Sequence, residues 1–203
     1  MGGTELESIF ALAGTDKGFV HHYGEIYEHL LAGFRDRPCK LLEIGVYHGA
    51  SLRAWERYLS QAEIIGVDCD AACLAHRSAR SEVLLGDVGD GEFLAVLAGR
   101  GPFGIVIDDG SHLPTHQQNC LTALWPAVQP GGVYVIEDLE VARTAPCGTG
   151  VSTTGWLLDR VWRESLSTGQ PNDCFTVFSG NLVAMIKRAA GGETGMQVVY
   201  GTV

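Results

Sequence analysis

Five apolar runs of strand length, separated by segments that suit helices, constrain this chain more than any other feature. The runs are 40–45 (KLLEIG), 62–67 (AEIIGV), 82–85 (EVLL), 103–107 (FGIVI) and 132–136 (GVYVI). Helix-compatible stretches at 51–59, 71–79, 91–98 and about 115–127 lie between them. Strands with so few polar positions must be covered on both faces, and alternation with helices does this around a parallel sheet. The end of the chain breaks the alternation. CFTVF (174–178) and LVAMIK (182–187) flank Ser-Gly-Asn, a hairpin signal. The pattern predicts an α/β, Rossmann-like fold. Its seven-stranded sheet should be mostly parallel, with one antiparallel strand near 182–187. Further helices are expected at 4–13, with Thr4 as its cap, at 23–36 and at 155–168. No linker divides the sequence, so 1–203 reads as a single domain, with an N-terminal helical segment at 1–36 and a loose tail at 189–203.

The formal net charge of −10 disfavours a polyanionic partner, and the 14 Lys and Arg residues form no run longer than Lys187-Arg188. Nucleic acid is therefore not expected as a partner. Nor is a membrane, because no stretch reaches the ~20 apolar residues of a span. The first ten residues lack the basic and apolar regions of a signal peptide, which points to a cytoplasmic protein. Six cysteines include no C-x-x-C pair, so free buried thiols are expected rather than a zinc site.

The first strand runs into Glu43-Ile44-Gly45-Val46-Tyr47-His48-Gly49, followed by Ser51 and a helix. A glycine turn here lets backbone approach a ligand at a helix N-terminus. Dinucleotide binding would want G-x-G-x-x-G, whose second glycine is missing. The wider E-x-G-x-x-x-G loop suits the amino-acid end of S-adenosylmethionine. The second strand ends at Asp68, and 68 − 45 = 23 places it near the ~20 residues expected for a ribose-binding carboxylate. The third ends in Gly86-Asp87, suited to an adenine amino group.

The fourth strand ends in Asp108-Asp109-Gly110-Ser111-His112 and the fifth in Glu137-Asp138-Leu139. So many acids would repel one another without a cation, and hard divalent ions prefer oxygen ligands, so magnesium is the natural ion. Asp109 or Ser111 could instead cap the helix near Pro114. His112 and His116 are four apart, but the H-E-x-x-H glutamate is absent and Pro114 interrupts the turn, which rules out a zinc-protease site.

Taken in order, TDKG (15–18), HHY (21–23), LLEIGVYHGASLRAW (41–55), GVD (66–68), GD (86–87), IDDGSH (107–112), PGGVYVIEDL (130–139) and FTVFSGNLVAMIK (175–187) resemble the macrocin- and mycinamicin-type sugar O-methyltransferases of antibiotic biosynthesis. The resemblance implies a class I methyltransferase fold that binds S-adenosylmethionine and magnesium, often as a homo-oligomer. It implies Asp109, Glu137 and Asp138 as metal ligands and His112 as the base. On the cofactor side it groups Thr15, Glu43, Gly45, Gly49, Ser51, Asp68, Asp87 and Asp108. The acceptor it implies is a hydroxyl of a small molecule, a sugar or glycosylated natural product. A phenolic, carboxylate or amine acceptor, or a non-catalytic S-adenosylmethionine binder, are the alternatives.

Overall fold

The computed structural model describes residues 3–139, 152–157, 159, 174–179 and 181–188. Its contacts divide the chain into two compact units, one ending at Asp87 and the other beginning at Val88. The expected tail at 189–203, and most of the helix expected at 155–168, lie outside the described residues; helical backbone is described at 153–157 and 159.

In the first unit, β1 (Cys39–Ile44), β2 (Ala62–Asp68) and β3 (Ser81–Leu85) run parallel, with β2 central. The register pairs Leu41 with Ile64 and Ile64 with Ser81. Leu41, Leu42, Ile64 and Ile65 are wholly enclosed, as apolar runs on a two-sided sheet require. Helix α1 (Glu5–Ala13) starts at a capping box. Thr4 Oγ1 accepts from the Glu7 main-chain N–H at 3.2 Å, and the Glu7 carboxylate accepts from the Thr4 N–H at 2.8 Å. The short α2 (Asp16–Phe19), α3 (Gly24–Leu31) and α4 (Ala50–Tyr58) follow. The stretch 71–79 forms no α-helix. Only a 3₁₀ segment, Ala71–His76, is present, because Asp70 caps Ala72 while the Ser78 hydroxyl accepts from the Arg80 and Ser81 N–H groups and turns the chain into β3.

In the second unit, β4 (Phe103–Asp108) and β5 (Val128–Ile136) are parallel. β7 (Leu182–Lys187) runs antiparallel to β5, and β6 (Cys174–Ser179) antiparallel to β7. Among the described residues there are thus seven strands, and β7 is the one that opposes its neighbours. β5 starts earlier than the apolar run suggested. Val128 pairs with Phe103, the register then shifts, and pairing resumes at Val133 with Ile105. Pro130, without an N–H, sits in the irregular stretch. α5 (Gly91–Ala98) and α6 (Pro114–Leu124) complete the unit. No helix among the described residues is long and apolar enough to cross a membrane.

The N-terminal helices belong to the core of their unit. Phe10 is fully buried, and its ring meets those of Tyr27 and Trp55 edge-on at centroid distances of 6.1 and 5.2 Å. Phe10→Ala should therefore destabilise the chain by about 3–5 kcal/mol. A urea unfolding midpoint equal to the parent's would show that α1 contributes nothing to the core.

Candidate active site

The loop after β1 is built for close approach to a ligand. Gly45 (φ 96°) still donates to Val67 O at 2.8 Å, so the turn begins directly at the sheet. Gly49 is left-handed (φ 65°), and a Cβ there would lie 2.7 Å from the Cβ of His76; both facts require glycine. Between them, Tyr47 adopts φ 49° and is 75 % exposed. Asp68 holds this loop. Its Oδ2 accepts from the Val46 and Tyr47 N–H groups at 2.9 and 3.0 Å, and its Oδ1 from the Asp70 N–H at 2.9 Å. Burial would raise its pKa, but the three main-chain donors prevail and hold it below the ordinary carboxylate value. Cys73 donates to Tyr47 O, and burial, aided by Asp68, pushes its thiol up to about 11, so it stays a donor at neutral pH. Gly86 N–H donates to Asp68 O, which brings the exposed Asp87 beside the same strand end.

Thr15, Glu43 and Ser51, grouped with the cofactor by resemblance, are interior. Thr15 Oγ1 caps α2 through the Lys17 N–H. Glu43 is completely buried. Its carboxylate accepts from Ser51 Oγ at 2.8 Å and from Trp55 Nε1 at 3.0 Å, and Lys17 Nζ stands 3.8 Å away. Glu43 and Ser51 brace the loop from below, Thr15 is committed to α2, and none of the three lines the loop's outer face. A fully buried Lys17 had no signal in apolar periodicity.

The second unit carries the acid cluster. One ligand atom each from Asp109, His112 and Asp138 lies within 4.8 Å of the others. Two hard carboxylate oxygens suit a hard divalent cation, with the His112 imidazole standing beside them. Glu137 is not in this group; it is buried, with its main-chain N–H on Asp108 O at 3.0 Å. His112 Nε2 is 3.8 Å from Asp138 Oδ2, while His112 Nδ1 is enclosed and has no hydrogen-bond partner. Both His112 (φ 56°) and Asp138 (φ 54°) are left-handed, uncommon for residues with a Cβ and tolerated best by Asn, Asp and His. Neither Asp109 nor Ser111 caps α6, whose N-cap is Leu113; Ser111 Oγ accepts from the Leu113 N–H and faces His116 Nδ1 at 2.9 Å.

Asp108 departs from the expected ligand-facing position. It is 3 % exposed and its Oδ2 is buried without a partner. Burial pushes its pKa up to about 7, opposed by the Gly110 N–H and aided by the Asp109 charge. Burial together with the Asp108 charge also raises Tyr134 and Cys120, so the carboxyl faces the interior. The thiols differ in burial: Cys73 and Cys120 are buried as expected, Cys39 is half-buried and Cys69 exposed, and all four are free.

Three polar residues that periodicity missed support the cluster. Gln117, on the buried face of α6, donates from Nε2 to Glu137 O at 3.2 Å and accepts from Thr153 Oγ1 at 2.6 Å. Asn181 donates from Nδ2 to Asp138 Oδ1 at 3.3 Å. A glutamine among Pro114, Cys120, Leu121 and Leu124 was the available signal for the first.

Residues 42–139 match a family model described as a methyltransferase domain. Over 151 residues the chain is 39% identical to 8-demethyl-8-alpha-L-rhamnosyl tetracenomycin-C 2'-O-methyltransferase of Streptomyces olivaceus, covering 69% of this chain and 40% of that protein. It is 40% identical over 134 residues to mycinamicin VI 2''-O-methyltransferase of Micromonospora griseorubida, covering 62% of this chain and 33% of the relative. The chain thus spans well under half the length of these relatives. In structure it is similar to the MycE methyltransferase of mycinamycin biosynthesis, solved with Mg, SAH and mycinamycin VI. There the TM-score is 0.81 at 30% identity, over 92% of this chain and 54% of that one.

Two substitutions test the bracing of the loop. Glu43→Leu removes the acceptor shared by Ser51 and Trp55 and the carboxylate facing buried Lys17, and should cost about 3–5 kcal/mol of stability. Asp68→Asn tests the latch through pH. Because the folded-state pKa is lowered, the latch is fully present above the ordinary carboxylate range near ~4 and is lost as pH falls through the folded value. The stability gap between parent and Asp68→Asn should be largest at neutral pH and close in acid. A gap that does not change with pH would remove the charge from the explanation.

Proposed function

We propose that this chain, a methyltransferase-domain homologue of the antibiotic-sugar O-methyltransferases, transfers a methyl group from S-adenosylmethionine to a hydroxyl of a sugar or glycosylated small molecule, with magnesium as its ion. The observation that carries the reading is the convergence of Asp109, His112 and Asp138, on the motifs IDDGSH and VIEDL, in a chain this similar to sugar O-methyltransferases. When bound, S-adenosylmethionine supplies an activated methyl on sulfur, and the cation supplies Lewis acidity to acceptor oxygens.

The residues divide the remaining work. The Gly45–Gly49 turn gives the cofactor close access to main chain. Asp68, with Asp87 next to its strand end, would offer carboxylate oxygen to ribose and base; an ionised carboxylate has about four acceptor sites, and with three main-chain donors in place at most one is left for a ribose hydroxyl. Glu43 and Ser51 hold that loop from within, and Thr15 caps α2. Asp109 and Asp138 would hold the cation, whose charge would relieve the repulsion between them, while Glu137, which the family motif also offers as a ligand, is buried beside them and would join only by turning outward. His112 Nε2 would take the proton of the acceptor hydroxyl as that oxygen accepts the methyl group. Alignment of oxygen, methyl and sulfur supplies a large part of the rate. The reading extends to a cytoplasmic enzyme that assembles as a homo-oligomer.

Turnover on a rhamnosylated or comparable deoxysugar acceptor should vanish in EDTA and return with magnesium or manganese. Asp138→Ala should mimic chelation, and His112→Ala should lower turnover by about 10²–10⁴-fold. Full activity in EDTA would leave the acids a structural role only. Near-parent turnover in His112→Ala would assign the proton to another group.

A further inference from the structure

The hairpin joining β6 to β7 reaches the acid cluster. Ser179 pairs with Leu182, and Asn181 stands in the turn. From there it makes two contacts with the end of β5. Its carbonyl accepts from the Leu139 N–H at 3.0 Å, and its side-chain Nδ2 donates to Asp138 Oδ1 at 3.3 Å. The two oxygens of Asp138 thus face different neighbours, the Asn181 amide on Oδ1 and His112 Nε2 on Oδ2 at 3.8 Å. The contacts bracket a residue whose backbone is left-handed at φ 54°, a conformation that neighbouring structure must hold in place.

We infer that Asn181 is a positioning residue for the cation: its amide fixes the rotation of the Asp138 carboxylate, so that Oδ2 faces Asp109 and His112. The inference rests on the metal reading above. An amide suits the task because it donates to the carboxylate without adding charge. A lysine there would compete with the cation, and a carboxylate would repel Asp138. The turn placement also separates two roles of one residue. The main-chain carbonyl keeps Leu139 in place whatever the side chain, while the side chain reaches Asp138.

The test is manganese binding to the full chain, followed by electron paramagnetic resonance and calorimetry, in the parent, Asn181→Ala, Asn181→Gly and Asp138→Ala. Both Asn181 variants keep the main-chain carbonyl, and glycine suits a turn, so one folded variant suffices for the test. Partners of metal ligands typically contribute ~10–100-fold in affinity. Manganese affinity should fall by about that factor in the Asn181 variants, with thermal midpoint and S-adenosylhomocysteine affinity near the parent's. Parent-like manganese affinity in a folded Asn181 variant, with binding lost in Asp138→Ala, would overturn the role of Asn181 and leave the metal site standing. A parent chain that binds no manganese would overturn both.

Discussion

Carboxylates gathered at the ends of parallel strands must be neutralised where they stand, and much of this structure follows from how that is done. Strands that share a direction deliver their terminal side chains to the same edge of a sheet. In the first unit, main-chain amides converge on Asp68, and a lysine, a serine and an indole surround Glu43. Those donors are supplied by the loop after β1 and by α2 and α4, so neutralising the acids also fixes the shape of the loop. The second unit uses different means. Asp108 is withdrawn into the interior, where the neutral form is favoured, and Asp138 takes an amide on one oxygen. The pair Asp109 and Asp138 is left facing an imidazole, and two carboxylates so placed suit a hard cation.

Rigidity and access are divided along the same lines. The residues that brace each site are buried: Glu43, Ser51, Lys17 and Trp55 in one unit, Gln117 and Thr153 in the other. The groups left accessible are a few side chains on left-handed or glycine-bearing backbone: Tyr47 is exposed, and His112 and Asp138 are half-buried. Local strain at these positions is offset by the surrounding hydrogen bonds, and sites so held lose little on reorganisation when a ligand arrives.

The sheet was readable from sequence because β1, β2, β4 and the paired part of β5 are buried apolar runs, and because Ser-Gly-Asn marks a reversal. Strand ends carrying acids were readable for the same reason, as polar residues closing apolar runs. The early start of β5 was not, since Gln129-Pro130-Gly131 resembles a loop and its pairing depends on tertiary contact with Phe103. Nor were the braces. Lys17, Gln117 and Asn181 have partners 26, 20 and 43 positions away, distances at which one sequence carries no visible pattern. Thr15 and Asp108 show the converse: a motif can be matched correctly while the side chain turns inward.

The reversal between Ser179 and Leu182 has a consequence for how chains of this kind can diverge. Strand pairing tolerates a longer connection, since a loop costs little more in closure entropy for each residue added. The reach of the Asn181 amide has no such tolerance. One inserted residue would leave β6 and β7 zipped together and carry the amide away from Asp138. On the reading proposed above, a copy lengthened at this reversal would keep its paired strands and lose the amide that orients Asp138.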